Sequence, residues 1–237
     1  KAHDARFLPN ERGNLKIVLA TSIAETSIPI DGVLIASDSG LQRLQVFEPA
    51  TGITRLETQR VSQASAEQRA GRAGRTEPGT ATRLWHPGQT AALPAFTPPQ
   101  ILSSDLTGLA LDLAHWGVAD PTTLSFMDQP PAIALAEARS LLQKLGALDA
   151  GYNITAQGKI MRGLALPPRL AAMAVHAARQ GDAEQACLLA VLLTEQGLGG
   201  QDIDLEERLR RFRFEKGDMA EAARNLANRF AKSLAKM

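Results

Sequence analysis

Residues 65–75 read SAEQRAGRAGR. Within this stretch Gln68, Arg72 and Arg75 stand at i, i+4 and i+7. At about 100° per residue these offsets fall within roughly 60° of arc on one face of a helix. Arg69 is expected about a quarter-turn away. Gly71 and Gly74 are expected on the far side, where a missing side chain lets backbone approach a neighbouring layer. Each glycine costs a helix interior about 1 kcal/mol relative to alanine, so a need for solubility alone does not account for two of them. Two guanidiniums and an amide aimed at one point suit a polyphosphate, because arginine is permanently charged and binds phosphate oxygens in a fork. A lone RxxR is ordinary on a solvated helix face; the full Q-R-x-G-R-x-G-R string is far more specific.

Upstream, LKIVLA (15–20) is a short apolar run of the kind that forms a buried strand of a parallel sheet. TSIAETSIPID follows at once, and Ser22 with Glu25 fits the S-x-x-E capping box that opens a helix. Such a strand-to-helix corner presents unpaired N–H groups and hydroxyls, an anion site in waiting, although an isolated S-x-x-E is more often a structural cap. VLIASDSG (33–40) predicts a second strand turning at Asp38 and Gly40. LQRLQVFE and ITRLETQRVS, separated by PATG, predict a β-hairpin with Pro49 and Gly52 at its tip. Arg43, Arg55 and Arg60 share these segments with Thr and Gln, so the hairpin is expected to project from the body. Composition leaves open whether it does work there or is simply solvated.

The two motifs together carry a family resemblance. Q-R-x-G-R-x-G-R resembles motif VI of superfamily 2 helicases, and LATSIAETSIPIDG resembles motif V of the DEAH-box group, commonly written Thr-Asn-Ile-Ala-Glu-Thr-Ser. They stand in the family's order, about 40 residues apart. Within the DEAH/RHA group the wording is most similar to the HrpB type, and the resemblance covers about 200 residues. It implies that Arg72 and Arg75 act as fingers on the γ-phosphate of ATP while Gln68 orients the attacking water. Thr21, Ser22 and Thr26 would hold the backbone of single-stranded RNA or DNA, and Asp31 would lie near the nucleotide ribose. Ser22 stands where the family has Asn, and Pro29 where many members have Thr. The hairpin would sit at the duplex junction.

Downstream, GTATRLW (79–85) predicts the strand that finishes an α/β, RecA-like domain spanning residues 1–87. The composition shifts at HPGQTAALPAFTPPQ, which holds four prolines, so a domain boundary is expected near His86. Leu106, Leu109, Leu113 and Trp116 stand at helical spacing, with Ser103 or Ser104 as N-cap and Gly117 after the end. A second helix is expected from the Pro130–Pro131 pair to Gly146, then a turn with a small strand pair over ALDAGYNITAQG. Helix, helix and wing suggest a winged-helix module over 88–152. Three short helices punctuated by Gly163, Pro167–Pro168 and Gly181 then suggest a helical bundle over 153–200. LALPPRLAAM resembles the start of the helicase-associated helical domain that roofs the nucleic-acid channel. Residues 201–237 read as charged helices, with nine Lys or Arg against seven Asp or Glu. There Phe212 and Phe214 interleave with Arg211 and Arg213, which fits either a solvated helix with an apolar seam or stacking on nucleic acid.

Composition sets the remaining bounds. The chain has 237 residues with 44% hydrophobic and 4% aromatic content, so its cores are built from Leu, Ala, Ile and Val rather than rings. A net charge of +1 excludes wholesale electrostatic capture of nucleic acid and leaves local patches and backbone contacts. One cysteine, Cys187, lies in the apolar run ACLLAVLL; it excludes an intramolecular disulfide and fits a reducing cytoplasm. No apolar run reaches the ~18 residues of a membrane span. The sequence holds neither a glycine-rich loop ending G-K-[ST] nor a D-E-x-[HD] tetrad. The chain thus reads as one half of a composite ATPase, with most contacts to ATP and Mg²⁺ expected from a first RecA-like domain before Lys1. The whole would work as a monomer, and the piece alone would not hydrolyse ATP. A rival from another class is a non-catalytic module that binds nucleic acid through the winged helix and the basic C-terminal helices.

Overall fold

In the computed structural model, which describes residues 17–26, 32–75 and 77–236, turn chemistry fixes the first elements. Strand β1 (Ile35–Asp38) ends where Gly40 takes φ +72° and donates its N–H to Asp38 Oδ1 at 2.9 Å. The chain then enters a hairpin of β2 (Leu41–Glu48) and β3 (Ile53–Arg60), registered from Leu41 opposite Arg60 to Glu48 opposite Ile53. Gly52 closes its tip at φ +68°, donating to the Glu48 carbonyl at 2.8 Å. Every residue of β3 is exposed, as a projecting hairpin requires. Helix α2 (Gln63–Ala70) follows and leads to β4 (Thr80–Arg83), which pairs parallel to β1 from Ile35–Thr80 to Asp38–Arg83. A parallel pair needs a crossover, and α2 provides it, packing on both strands.

Helix α1 (Ile23–Thr26) precedes these elements. Residues 17–20, expected as a buried strand, form neither strand nor helix, and Ile17 and Leu19 are exposed. A parallel strand needs hydrogen-bonded neighbours and covered faces, and among the described residues nothing pairs with this run. Asp31 lies outside the described residues.

The proline-rich segment does not open a new domain. It straps back over α2: Gln63 N–H donates to the Pro94 carbonyl at 2.8 Å, and Ala64 N–H to the Ala95 carbonyl at 3.1 Å. These are first-turn donors that a helix leaves without intrahelical partners. Ser62, the N-cap, accepts from Ser65 N–H at 3.1 Å, and the Thr97 hydroxyl reaches Ser62 Oγ at 3.3 Å. Leu93 joins Val61 and Ala66 in a small core closed by Trp85. Near the hairpin tip, Phe47 N–H donates to the Ser103 carbonyl at 2.9 Å. The first compact unit accordingly runs to Ser104, because the Gln63, Ala64 and Phe47 N–H groups donate to carbonyls of residues 94, 95 and 103.

The second unit, from Asp105, is helical: α3 (Thr107–His115), α4 (Ala132–Lys144), α5 (Ala156–Gly163), α6 (Pro168–Arg179), α7 (Ala183–Thr194), α8 (Leu205–Phe214) and α9 (Asp218–Leu234). Gly117 and Gly146, at φ +75° and +71°, end α3 and α4 as expected. Asp105 rather than Ser103 or Ser104 serves the start of α3, its Oδ1 accepting from Thr107 N–H at 2.9 Å. Trp116 leaves the apolar stripe and is exposed, while Leu106, Ala110, Leu111 and Leu113 are buried. Between α4 and α5 a single antiparallel bridge joins Leu148 to Ile154. Alanines carry the packing of the later helices. Ala220, Ala223, Ala227 and Ala231 make one buried stripe on α9, which lies against α7. Among the described residues no helix is long and apolar enough to cross a membrane.

Candidate functional site

The arginine-rich stretch is not one continuous helix. Gly71 N–H still closes an α-type bond to the Glu67 carbonyl at 2.9 Å, but Arg72 and Ala73 donate to the Arg69 and Ala70 carbonyls, each at 3.1 Å. These tighter bonds unwind the last turn. Gly74 then enters the left-handed region at φ +79°, its N–H donating to the Val33 carbonyl at 3.2 Å. Gln68 therefore projects, exposed, from the last turn of α2, whereas Arg72 and Arg75 stand on the loop beyond it, Arg72 partly buried and Arg75 exposed. The expectation of one helix face for all three is corrected. Propensity alone explains it: two glycines three residues apart end a helix more readily than they continue one.

The two glycines also differ from expectation in what they touch. A Cβ on Gly71 would meet only the carbonyls of its own helix. Gly74 does make the close backbone approach, to Gly79 at the entry of β4. A Cβ on Gly79 would overlap the Gly74 backbone nitrogen and come to 2.9 Å from the Leu34 carbonyl. The arginine loop is thereby pressed against the start of the parallel pair.

Arg69, expected to point away from the site, is its centre. Its Nε and Nη2 both donate to Glu25 Oε1 at 2.6 Å. Nη1 donates to Asp38 Oδ1 at 2.9 Å and to the Leu41 carbonyl at 3.0 Å. The three side chains are only 17%, 10% and 9% exposed for Arg69, Glu25 and Asp38, so the charges meet with little water between them. Burial works against the guanidinium's charge, and the hydrogen bonds and proximity of Glu25 and Asp38 outweigh it, raising its pKa above the ordinary arginine value. Asp38 Oδ2 is buried and finds no hydrogen-bond partner among the described residues.

Glu25 thus does not close the capping box on Ser22; its carboxylate is drawn to Arg69, leaving Glu25 N–H on the Ser22 carbonyl at 2.9 Å. Thr21 and Ser22 are exposed at the start of α1, and Thr26 ends it. Because Glu25 lies in α1 and Arg69 in α2, the ion pair ties the Thr21–Thr26 corner to the arginine-bearing helix. The sequence held a signal for this. Two acids on segments that also carry Ile and Ala, Glu25 and Asp38, cannot be buried without a cation. Sequence separation hid it, since Arg69 lies 44 and 31 residues from its partners.

Elsewhere, the two phenylalanines of α8 separate cleanly: Phe212 is fully buried and Phe214 is exposed. Phe214 edges an open groove of about 560 Å³ with Gly199, Gly200, Arg210, Arg211 and Glu215. Glu207 receives Arg210 and Arg211 there, which depress its pKa through hydrogen bonds, Arg211 first. Among the described residues no three His, Cys, Asp or Glu side chains come together as a metal site requires.

Comparison with known proteins gives these positions their context. No family model matches the chain. It is 48% identical over 198 residues to the ATP-dependent RNA helicase HrpB of Escherichia coli, covering 83% of this chain and 24% of that protein. It is 36% identical over 192 residues to the probable ATP-dependent RNA helicase DHR2 of Saccharomyces cerevisiae, 81% of this chain and 26% of that one. A crystal structure of the E. coli DExH-box NTPase HrpB aligns over 99% of this chain and 28% of its own, with a TM-score of 0.82 at 42% identity. The chain therefore spans about a quarter of the length of these relatives.

Proposed function

From the membership of this chain in the DEAH/RHA helicases, HrpB-like and over part of their length, we propose that it is the second motor domain and adjoining helical region of an ATP-dependent RNA helicase. The observation that carries the reading is the end of α2. There an exposed Gln68 and the loop bearing Arg72 and Arg75 leave a helix whose last turn is locked to motif V through Arg69 and Glu25.

In this reading a first RecA-like domain of the same protein holds the triphosphate. Arg72 and Arg75 stabilise the charge on the transferring γ-phosphoryl group, and Gln68 orients the water that attacks it. Permanently charged forks suit that task, and a finger of this kind is worth about 10³–10⁵ in rate. Arginine and amide side chains are the wrong donors for a hard cation, which takes carboxylate, carbonyl and water oxygens. Mg²⁺ is accordingly assigned to the first domain, and so is the capacity to bind ATP when the two domains are apart. Asp31 is assigned to the ribose.

Thr21, Ser22 and Thr26 hold the sugar–phosphate backbone of single-stranded RNA without reading bases, which gives sequence-independent tracking. The hairpin of β2 and β3, braced at Phe47, divides the strands. Within the second unit, the stretch to residue 152 acts as a winged helix that supports the motor, 153–200 as the helicase-associated bundle and 201–237 as a charged helical extension. The parent works as a monomer in the cytoplasm.

The test is Arg72→Ala and Arg75→Ala in the full-length protein. ATP binding should persist, and RNA-stimulated turnover should fall by about 10³ or more. Near-normal turnover in both variants removes the finger assignment.

A further inference from the structure

The functional reading leaves unexplained how a strand gripped at Thr21–Thr26 is felt at Arg72 and Arg75. The structure offers one physical connection. Helix α1 is described over Ile23–Thr26, and a single turn of helix returns less in hydrogen bonds than it costs to nucleate, so contacts outside the turn matter to it. Its buried tie is the Glu25 carboxylate on Arg69. Arg69 in turn sets the loop beyond α2 through its own backbone: its carbonyl accepts the Arg72 N–H at 3.1 Å. The same guanidinium reaches Asp38, where β1 ends, and the Leu41 carbonyl, where β2 begins. One side chain thus touches the motif V helix, the sheet and the base of the hairpin, and its main chain holds the finger loop.

The network also has a second arrangement available. Asp38 Oδ1 already takes two donors, Gly40 N–H and Arg69 Nη1, both at 2.9 Å, while Oδ2 is buried and takes none from the described residues. If α1 moves and Glu25 withdraws, the guanidinium can swing fully onto Asp38 as a two-oxygen fork. That geometry suits arginine and occupies the vacant lone pairs. The two states differ in which carboxylate, Glu25 or Asp38, holds the edge of the guanidinium formed by Nε and Nη2. Neither leaves the arginine unpaired, and Glu25 escapes the penalty of a buried unpaired charge only by leaving with α1, so the switch is tied to movement of that helix.

We infer that Arg69 is a positioning residue that couples nucleic-acid grip to the ATP site by changing partners between Glu25 and Asp38. The inference rests on the proposed helicase function. Energetic coupling between two ligands is reciprocal and is measured as a ratio of affinities, so it can be read without turnover.

The experiment uses the full-length protein and a fluorescent single-stranded oligoribonucleotide, whose Kd is measured by anisotropy with and without a non-hydrolysable ATP analogue. Wild type is expected to show at least about a fivefold change in RNA affinity on adding nucleotide. Arg69→Lys keeps the charge but not the fork, and Glu25→Gln keeps the shape but not the charge; each should bring that ratio to about one. A merely structural role would weaken RNA binding equally with and without nucleotide and leave the ratio intact, and that result overturns the inference. Should Arg69→Lys fail to fold, Glu25→Gln decides the matter alone. A wild-type ratio of one removes the functional reading itself, and the inference with it.

Discussion

Arg69 and Cys187 mark two ways in which burial controls a single side chain. At Arg69 burial is compensated: two carboxylates and a carbonyl accept its hydrogen bonds, and the guanidinium stays charged although largely covered. At Cys187 nothing compensates. The thiol lies fully buried on α7, and desolvation pushes its pKa up to about 11. Two outcomes follow for the folded chain. At pH 8 only about a thousandth of the thiol is ionised, so Ellman's reagent should be consumed only as fast as the second unit opens. Because the folded pKa lies above the unfolded one, stability is unaffected while both states keep the proton. It declines as pH rises from the ordinary thiol range towards 11, where only the unfolded chain has ionised. Urea midpoints taken from pH 7 to 10 should be flat at first and then fall; Cys187→Ala should remove this thiol's share of the fall.

Among the elements, the loop from α2 to β4 owes its shape to close backbone contact. Gly74 and Gly79 meet without side chains beside the Leu34 carbonyl, and a Cβ at Gly79 has nowhere to go, because every nearby atom is main chain. Gly79→Ala should therefore cost about 1–3 kcal/mol in urea unfolding of the first unit. In the full-length protein it should also lower turnover more than RNA binding, since it displaces the arginine loop and leaves α1 untouched. Equal losses in both would place the damage in general stability instead. The same loop shows what the sequence could and could not reveal. The hairpin was legible around Gly52 because turn residues act locally, with Leu41–Glu48 matching and the second segment, expected to Ser62, ending at Arg60 where Ser62 caps α2. So were Gly117, Gly146 and Pro168 at helix ends. The helix stop at Ala70 was written in Gly71 and Gly74 but masked by the regular spacing of the charged residues. The partners of Arg69 and the strap over α2 were not legible, since both depend on contacts between residues some 30 or more positions apart.

At the scale of the whole molecule, the chain is two units with separate interiors. Among its described residues the first has a small core around Val61, Ala66, Leu93 and Trp85, with charged and backbone contacts beside it. The second is densely filled, with Leu113, Leu142, Met161, Val175, Val191 and Phe212 all fully buried or nearly so. Difference in core size predicts difference in autonomy. Residues 105–237 expressed alone should retain helical circular dichroism and unfold cooperatively in urea. Residues 1–86 alone should not, because the donors of Gln63 and Ala64 and the apolar face of Ala66 lose their cover. A cooperative transition from the 1–86 piece would show that the strap is dispensable.

That strap bears on how such chains are recombined between relatives. A chimera joined at the conspicuous run of prolines would inherit the arginine helix from one parent and the lid over its first turn from the other. The seam that keeps both from one source is Ser104/Asp105, some seventeen residues further on than composition suggests. Grafts made there should keep the arginine loop in its own setting, whereas grafts made earlier should test mainly whether two foreign surfaces happen to fit.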